Sequence, residues 1–369
     1  MNNIVYRYDF HIKFMTKNNI YKICTIMTTG RTGSDYLAGC LDGVKNIIVF
    51  SGKFNHQIFF KDHKQKIKKE ILISKFITEN KKLFTYNKIE NLRLNININN
   101  FKKKFIEIST NTLNRKEFFI KLYEAYHLTL NRKLLKSNVI VHHSHGRTNT
   151  NNFLKDFPNA KILITIRDPR ANLKSGLLNW FKFDPKRKHM MHVYMYLRRI
   201  RNDLNYALKK DNKKKFIKLE EMGSKKVKSG ILKFLETKYD KKINISTFAN
   251  KPWAGDKLSA FKKNPNGLFN KKIIYNGWRE FFTKDEILML NFLYSNYRKF
   301  YKIEQISFLK KNYLFFRVIF PFKFENLAIN HQRFFSIKLI NNLIFYIKRV
   351  VYIQLLILNI DTFDYEKKD

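Results

Sequence analysis

An α/β fold, built as a mostly parallel sheet flanked by helices, is predicted by three observations. Short all-apolar runs of strand length recur along the chain, stretches of helical periodicity lie between them, and two strand-to-helix junctions carry turn or cap residues. The 369-residue length suffices for one large α/β domain plus an appendage, and a 44% hydrophobic content excludes a disordered polymer.

Tyr21 to Thr28 reads as a short buried strand, broken by Gly30-Arg31-Thr32-Gly33-Ser34. Leu37, Cys40, Leu41 and Val44 then fall at roughly helical spacing, and Ile47 to Phe50 reads as the next strand. Residues 61–136 form a Lys- and Asn-rich insertion, with one alternating stretch (Leu92, Leu94, Ile96, Ile98) and one helical stretch from Arg115 to Leu135. Asn138 to His142 and Lys161 to Ile166 are apolar runs of the kind that parallel sheets bury on both faces. Phe216 to Leu219 predicts another strand, with a helix from about Met222 to Tyr239 after it. Thr283-Lys284-Asp285-Glu286 is a capping box opening a helix that runs to about Tyr301. After residue 306 the composition changes, with aromatic residues interleaved with Lys and Arg, so 1–306 is expected as the main domain and 307–369 as a helical extension. That pattern suits either helices lying on a membrane surface or amphipathic helices packed on the domain.

The formal net charge of +44 is spread along the chain rather than gathered in one block, so it selects no single polyanionic partner. The two cysteines, Cys24 and Cys40, form no disulfide framework, and no His/Cys spacing suits zinc; a reducing cytoplasm fits best. No signal-type apolar segment opens the chain, and Lys348 and Arg349 interrupt the longest apolar stretch, Leu339 to Ile360, so no membrane span is expected.

A strand, a glycine turn and a helix together bind phosphate-like anions, because the turn's N–H groups lack internal partners and the helix dipole favours negative charge. The candidate turn comprises Thr29, Gly30, Arg31, Thr32, Gly33, Ser34 and Asp35. Gly30 and Gly33 permit positive φ, Arg31 supplies a bidentate cation, and Thr32 and Ser34 offer hydroxyls. Its glycines are too close for a Walker A loop, whose Lys-Ser/Thr is missing, and the dinucleotide fingerprint is absent. A second segment, Phe157 to Trp180, carries a buried strand ending at Arg167. Asp168 follows as N-cap and Pro169 at the first helical position. Arg167 thereby sits at a strand's carboxyl end, where open α/β sheets bind ligands.

These two motifs, in this order, resemble the sulfotransferase family that uses 3′-phosphoadenosine-5′-phosphosulfate (PAPS), whose fold is P-loop-like. The resemblance assigns Arg31, Thr32, Gly33 and Ser34 to the donor's 5′-phosphosulfate, and Arg167 with Ser175 to its 3′-phosphate. Weaker similarities follow at Phe216 to Met222 and at Asn276 to Arg279, so it covers about residues 20 to 303. It implies in-line sulfuryl transfer to a hydroxyl or amine of an acceptor, with carbohydrate or glycolipid expected. It also implies Arg31 stabilising the leaving phosphate, no metal, and a histidine base. His145 occupies the family's position for that base, with His143 where a lysine is usual, and His56 is the second candidate. The insertion is expected to shape the acceptor side, and the location to be cytoplasmic, with the tail offering attachment to the inner membrane face. Two other readings stay open: a small-molecule kinase, and a non-catalytic protein binding polyanions. No nucleic-acid partner is expected, for no reading helix or RNA signature is present.

Overall fold

The computed structural model describes residues 14–16, 19–60, 66–87, 92–135, 137–209, 211–253, 255, 266–270, 277–329 and 337–360. Five parallel strands form the central sheet: β1 (Asn19–Thr28), β2 (Ile47–Val49), β3 (Ser137–His145), β4 (Lys161–Ile166) and β5 (Lys214–Lys218). Their order is β5-β4-β1-β3-β2, and a short strand, Phe14–Thr16, pairs antiparallel with the start of β1. β4 reads Lys-Ile-Leu-Ile-Thr-Ile, and its side chains alternate between layers. Ile162, Ile164 and Ile166 join one apolar cluster while Leu163 joins the other. β1 lies between β3 and β4, so chain order switches direction there and the loops leaving β1 and β4 open side by side.

One layer contains α1 (Ser34–Asp42), α2 (Lys69–Glu79), α3 (Ile98–Ile108) and α4 (Arg115–Thr129). α5 (Arg147–Asp156) follows β3 and buries Phe153 in the same cluster. The opposite layer starts with α6 (Pro169–Phe183) and α7 (Met190–Leu208); α8 (Lys225–Phe234) returns to the first. α9 (Lys284–Leu293), α10 (Phe308–Arg317) and α11 (Ile337–Ile357) complete the second layer. Leu314, Val318, Tyr352 and Ile353, all from the expected extension, share one cluster with Met27 and Ile164 of the sheet.

The insertion packs by its aromatics. Phe50, at the end of β2, stacks on Tyr126 and meets Phe54, Phe76, Phe84 and Phe101 edge-on, an arrangement ring quadrupoles favour. The alternating stretch Leu92 to Ile98 is not a continuous strand. Only Leu92–Arg93 pairs, Asn95 turns to φ 54°, and Asn97 caps α3 by accepting from the Asn100 N–H at 2.9 Å. A short polar side chain that bonds a neighbouring N–H competes with a ladder, which is why the alternation fails here. α4 is shorter than its periodicity suggests, stopping at Thr129 before Asn131 in a left-handed conformation. The helix after β5 likewise shrinks to Lys225–Phe234, and the capped helix at Thr283 ends at Leu293.

Candidate active site

The loop between β1 and α1 is built around three demands on the backbone. Gly30, Arg31 and Gly33 have φ of 86°, 43° and 79°. For Arg31 this is a sparsely populated region that the surroundings must hold in place. Hydroxyls do this. The Gly30 N–H donates to Thr28 Oγ1 at 2.9 Å, Thr28 and Thr32 share a hydrogen bond of 2.6 Å, and Thr32 meets Thr165 of β4 at 2.6 Å. Asn172 of α6, fully buried, donates from Nδ2 to the Thr29 carbonyl at 3.3 Å. A Cβ at Gly33 would lie 2.5 Å from Leu219 Cδ1, whereas one at Gly30 would meet nothing within 4 Å, so the loop is closed below Gly33 and open above Gly30. Gly33 itself is the N-cap of α1 and brings no capping side chain, leaving the first N–H groups of the helix available. The Ser34 hydroxyl has no partner among the described residues.

The second segment folds as its residues dictate. Asp168 accepts from the Arg170 N–H at 3.0 Å as N-cap of α6, with Pro169 at the first helical position. Arg170 forks back onto the same carboxylate at 3.0 and 2.8 Å and stacks over Trp278 at 4.0 Å, so this arginine is structural. Arg167 is 9% exposed at the carboxyl end of β4. Burial lowers its pKa, Glu220 opposes that, and the nearby Arg31 guanidinium adds to it; the two cations therefore feel one another across the loop. Glu220 also accepts from the Asp168 N–H at 3.2 Å and from the Tyr301 hydroxyl at 2.8 Å. Ser175, two turns into α6, is half-buried and accepts from Asn179 at 3.0 Å.

Beside the loop lies a cavity of about 290 Å³ whose lining includes Lys53, His56, His142, His143, His145 and Asn149. The four histidines have distinct environments. His56 is bound to Asp156 at 2.9 Å, a carboxylate that Arg115 and Gln57 also hold, and burial lowers its pKa. His142 faces the aromatic layer, hydrogen-bonded to Tyr123 at 2.9 Å and stacked on Phe153. His143 Nδ1 lies 3.3 Å from Asp35, and its buried Nε2 has no hydrogen-bond partner among the described residues. His145 ends β3 with φ 74°, opposite Met27 of β1, its ring 5.6 Å from that of His143. Burial, helped by Lys53 and Arg199, pushes its pKa well below the ordinary imidazole value, so it is neutral at pH 7.

Several expected donor-binding groups turn inward. The Thr32 hydroxyl is engaged by Thr28 and Thr165, so this side chain fixes the loop. Asp35 closes on Lys53 at 2.8 Å and on His143. Burial pushes its carboxyl up, but the Lys53 ammonium and His143 outweigh that and hold it well below the usual carboxylate range. A carboxylate aimed at an anionic donor would repel it, so Asp35 belongs to the histidine side of the site. Lys53, Asn172 and Glu220 were not among the sequence candidates. Lys53 and Glu220 do follow the carboxyl ends of β2 and β5, the one signal that marks them. The thiol of Cys24 is buried in β1, and burial pushes its pKa up to about 12, so it does not serve as a nucleophile.

No protein-family model matches the chain, and no curated protein matches it. Among solved structures it is similar to the sulfotransferase domain of the Synechococcus PCC 7002 olefin synthase, at 16% identity and TM-score 0.42 over 72% of this chain and 90% of that one. It is similar also to the sulfotransferase domain from the curacin biosynthetic pathway, at 14% identity and TM-score 0.41, covering 82% and 99%. A third is sulfotransferase STF9 from Mycobacterium avium, at 11% identity and TM-score 0.38, covering 77% and 78%.

Proposed function

We propose that the chain is a PAPS-dependent sulfotransferase acting on a hydroxyl or amine, with carbohydrate or glycolipid as the acceptor class. One observation carries the reading: the two motifs are welded into a single anion cradle. Thr165 binds Thr32, Asn172 binds Thr29, and Arg31 and Arg167 converge on the same sheet edge. Two anion positions held at fixed separation suit a donor with a phosphosulfate at one end and a phosphate at the other.

The donor supplies a sulfuryl group on a good leaving phosphate. The loop N–H groups, the Ser34 hydroxyl and Arg31 hold the 5′-phosphosulfate and balance the charge that grows on the phosphate as its bond to sulfur breaks. One well-aimed donor of that kind lowers such a barrier by about 3 kcal/mol. Arg167 and Ser175 hold the 3′-phosphate. The acceptor enters the neighbouring cavity, its oxygen or nitrogen attacks sulfur in line, and its proton passes to an imidazole. His143 is the better-built acceptor of that proton: Asp35 holds its Nδ1 and stabilises the imidazolium that forms, and its Nε2 has no competing hydrogen bond among the described residues. His145 stands next to it as a neutral partner. His56 is fixed by Asp156 and shapes the wall.

Calorimetric titration with adenosine 3′,5′-bisphosphate, without metal, tests the reading. Micromolar binding, preferred over ATP and abolished in Arg167→Ala, is the expected result. Equal binding of ATP, or none of either, would return the kinase and polyanion readings.

A further inference from the structure

The C-terminal helices carry an apolar face that no described part of the chain covers. Within α11, Leu339–Ile357 is long and apolar enough to cross a membrane by length and composition, yet only 28% of that stretch is buried. Its two sides differ in what they meet. Asn342, Arg349, Tyr352, Ile353 and Leu356 are buried against the domain, and Asn342 accepts from the Met190 N–H at the start of α7 at 2.8 Å. Arg349 is fully buried, paired with Glu325 at 2.7 Å and bonded to the Val318 carbonyl. On the other side Ile340, Leu343, Ile344, Ile347 and Val351 recur at three- and four-residue steps, all exposed, Ile340 at 62% and Leu343 at 58%.

α10 adds a second exposed apolar face through Phe308, Leu309 and Phe316, followed by Ile319 and Phe320. The two helices are tied together, Tyr346 to the Ile319 carbonyl at 2.5 Å and Gln354 to the Phe315 carbonyl at 3.1 Å. Exposed aliphatic and aromatic side chains on this scale mark a binding surface rather than ordinary surface scatter.

Charge decides what binds. Between residues 307 and 360 the sequence has eight Lys and Arg but one carboxylate, Glu325, which is spent internally on Arg349. Asp285 and Glu304, from outside that segment, neutralise only Arg317 and Lys310. Lys311, Lys323 and Lys348 remain beside the apolar residues. A second copy would bring two such cationic rims together in a chain already at +44, whereas an anionic lipid surface complements both the apolar face and its rim. A span is excluded by the inner side of α11, since crossing would strip a buried Arg349–Glu325 pair from its partners.

We infer that α10 and α11 form a peripheral docking surface for anionic membranes, with the exposed stripe in the acyl boundary and the lysines at the headgroups. This rests on the helices alone and stands whatever the chemistry of the cradle.

Flotation of the full chain with vesicles of equimolar phosphatidylcholine and phosphatidylserine, against phosphatidylcholine alone, is the test. Binding to the anionic vesicles, reversed by salt, is expected. The double variant Leu343→Glu/Ile347→Glu should bind at least roughly tenfold more weakly. Lys323→Gln and Lys348→Gln should each weaken binding roughly fivefold. Both substituted pairs are exposed, so unchanged thermal melting and circular dichroism should confirm folding. Absence of flotation, or flotation unaltered by the glutamates, would overturn the inference. So would a dimer in light scattering that the glutamates split, or resistance to carbonate extraction from membranes.

Discussion

Asp35 occupies the second position of α1, at the mouth of the anion loop, yet its carboxylate points at Lys53 and His143 rather than at the loop. One residue thus joins the glycine loop to the histidine-lined cavity. Its negative charge favours the imidazolium at His143, against the burial and the Lys53 charge that depress that imidazole. His143→Ala should lower kcat by roughly 10²–10⁴-fold. Asp35→Asn removes the charge and keeps the shape. A base works deprotonated, so activity falls on acidification through its pKa. Without the Asp35 charge that pKa drops, and the acid limb of the kcat profile should move to lower pH. A loss of that size in His145→Ala, with little loss in His143→Ala, would hand the role to His145.

At the scale of elements, the strand–turn–helix units do most of the positioning. Gly33 is required twice over, by its φ of 79° and by Leu219 packed where a Cβ would go. Gly30 is required only for its φ. Gly33→Ala should therefore cost about 2–4 kcal/mol of stability and weaken bisphosphate binding, while Gly30→Ala should cost about 1–2 kcal/mol. Paired denaturant melts and titrations separate them; equal losses would mean that packing under the loop is slack. These units were readable from the chain because their signals are local: a glycine before a helix, Asp168-Pro169 at a helix start, the Thr283–Glu286 box that forms as expected. What joins them was not readable. Asn172 to Thr29, Thr165 to Thr32 and Lys53 to Asp35 are pairings between separate elements of the fold, and no periodicity encodes which hydroxyl or amide faces which. The same limit explains Thr32, whose hydroxyl seemed free for a ligand until its two neighbours came from β1 and β4. Asn97 is the opposite case, a local capping signal overlooked because the alternation around it was louder.

For the molecule as a whole, the buried histidines set a common response to acid. His56, His142, His143 and His145 all have folded-state pKa values below the ordinary 6.5, chiefly through burial. His127 joins them, pushed down to about 4. The unfolded chain binds protons below pH 6.5 that the folded chain refuses, so stability is intact above that pH and declines as pH falls toward the folded values. Asp203 works the other way: burial raises its pKa to about 6, and it is more easily protonated folded than unfolded. Burial also raises the Glu325 carboxyl, so five imidazoles stand against two carboxyls and outweigh them. Urea melts should lose stability between pH 7 and pH 5, at up to about 1.4 kcal/mol per pH unit for each imidazole. A flat profile would mean that the histidines are hydrated and titrate normally.

The central strand of the sheet is also the earliest of the five in the sequence, and this governs when the loop can exist. β1 has no parallel neighbour until β3, well over a hundred residues later, and the Thr32–Thr165 bond closes over a separation of 133 residues. Contacts of such range form late, because the chain must first lose the entropy of a long closed loop. During synthesis, then, β1 emerges before any of its parallel partners, with only the short antiparallel strand Phe14–Thr16 available to pair with its start. The bond from Thr32 to Thr165 can close over the left-handed turn at Arg31 only once β4 has paired with β1, so the loop takes its final form later than the strand that leads into it.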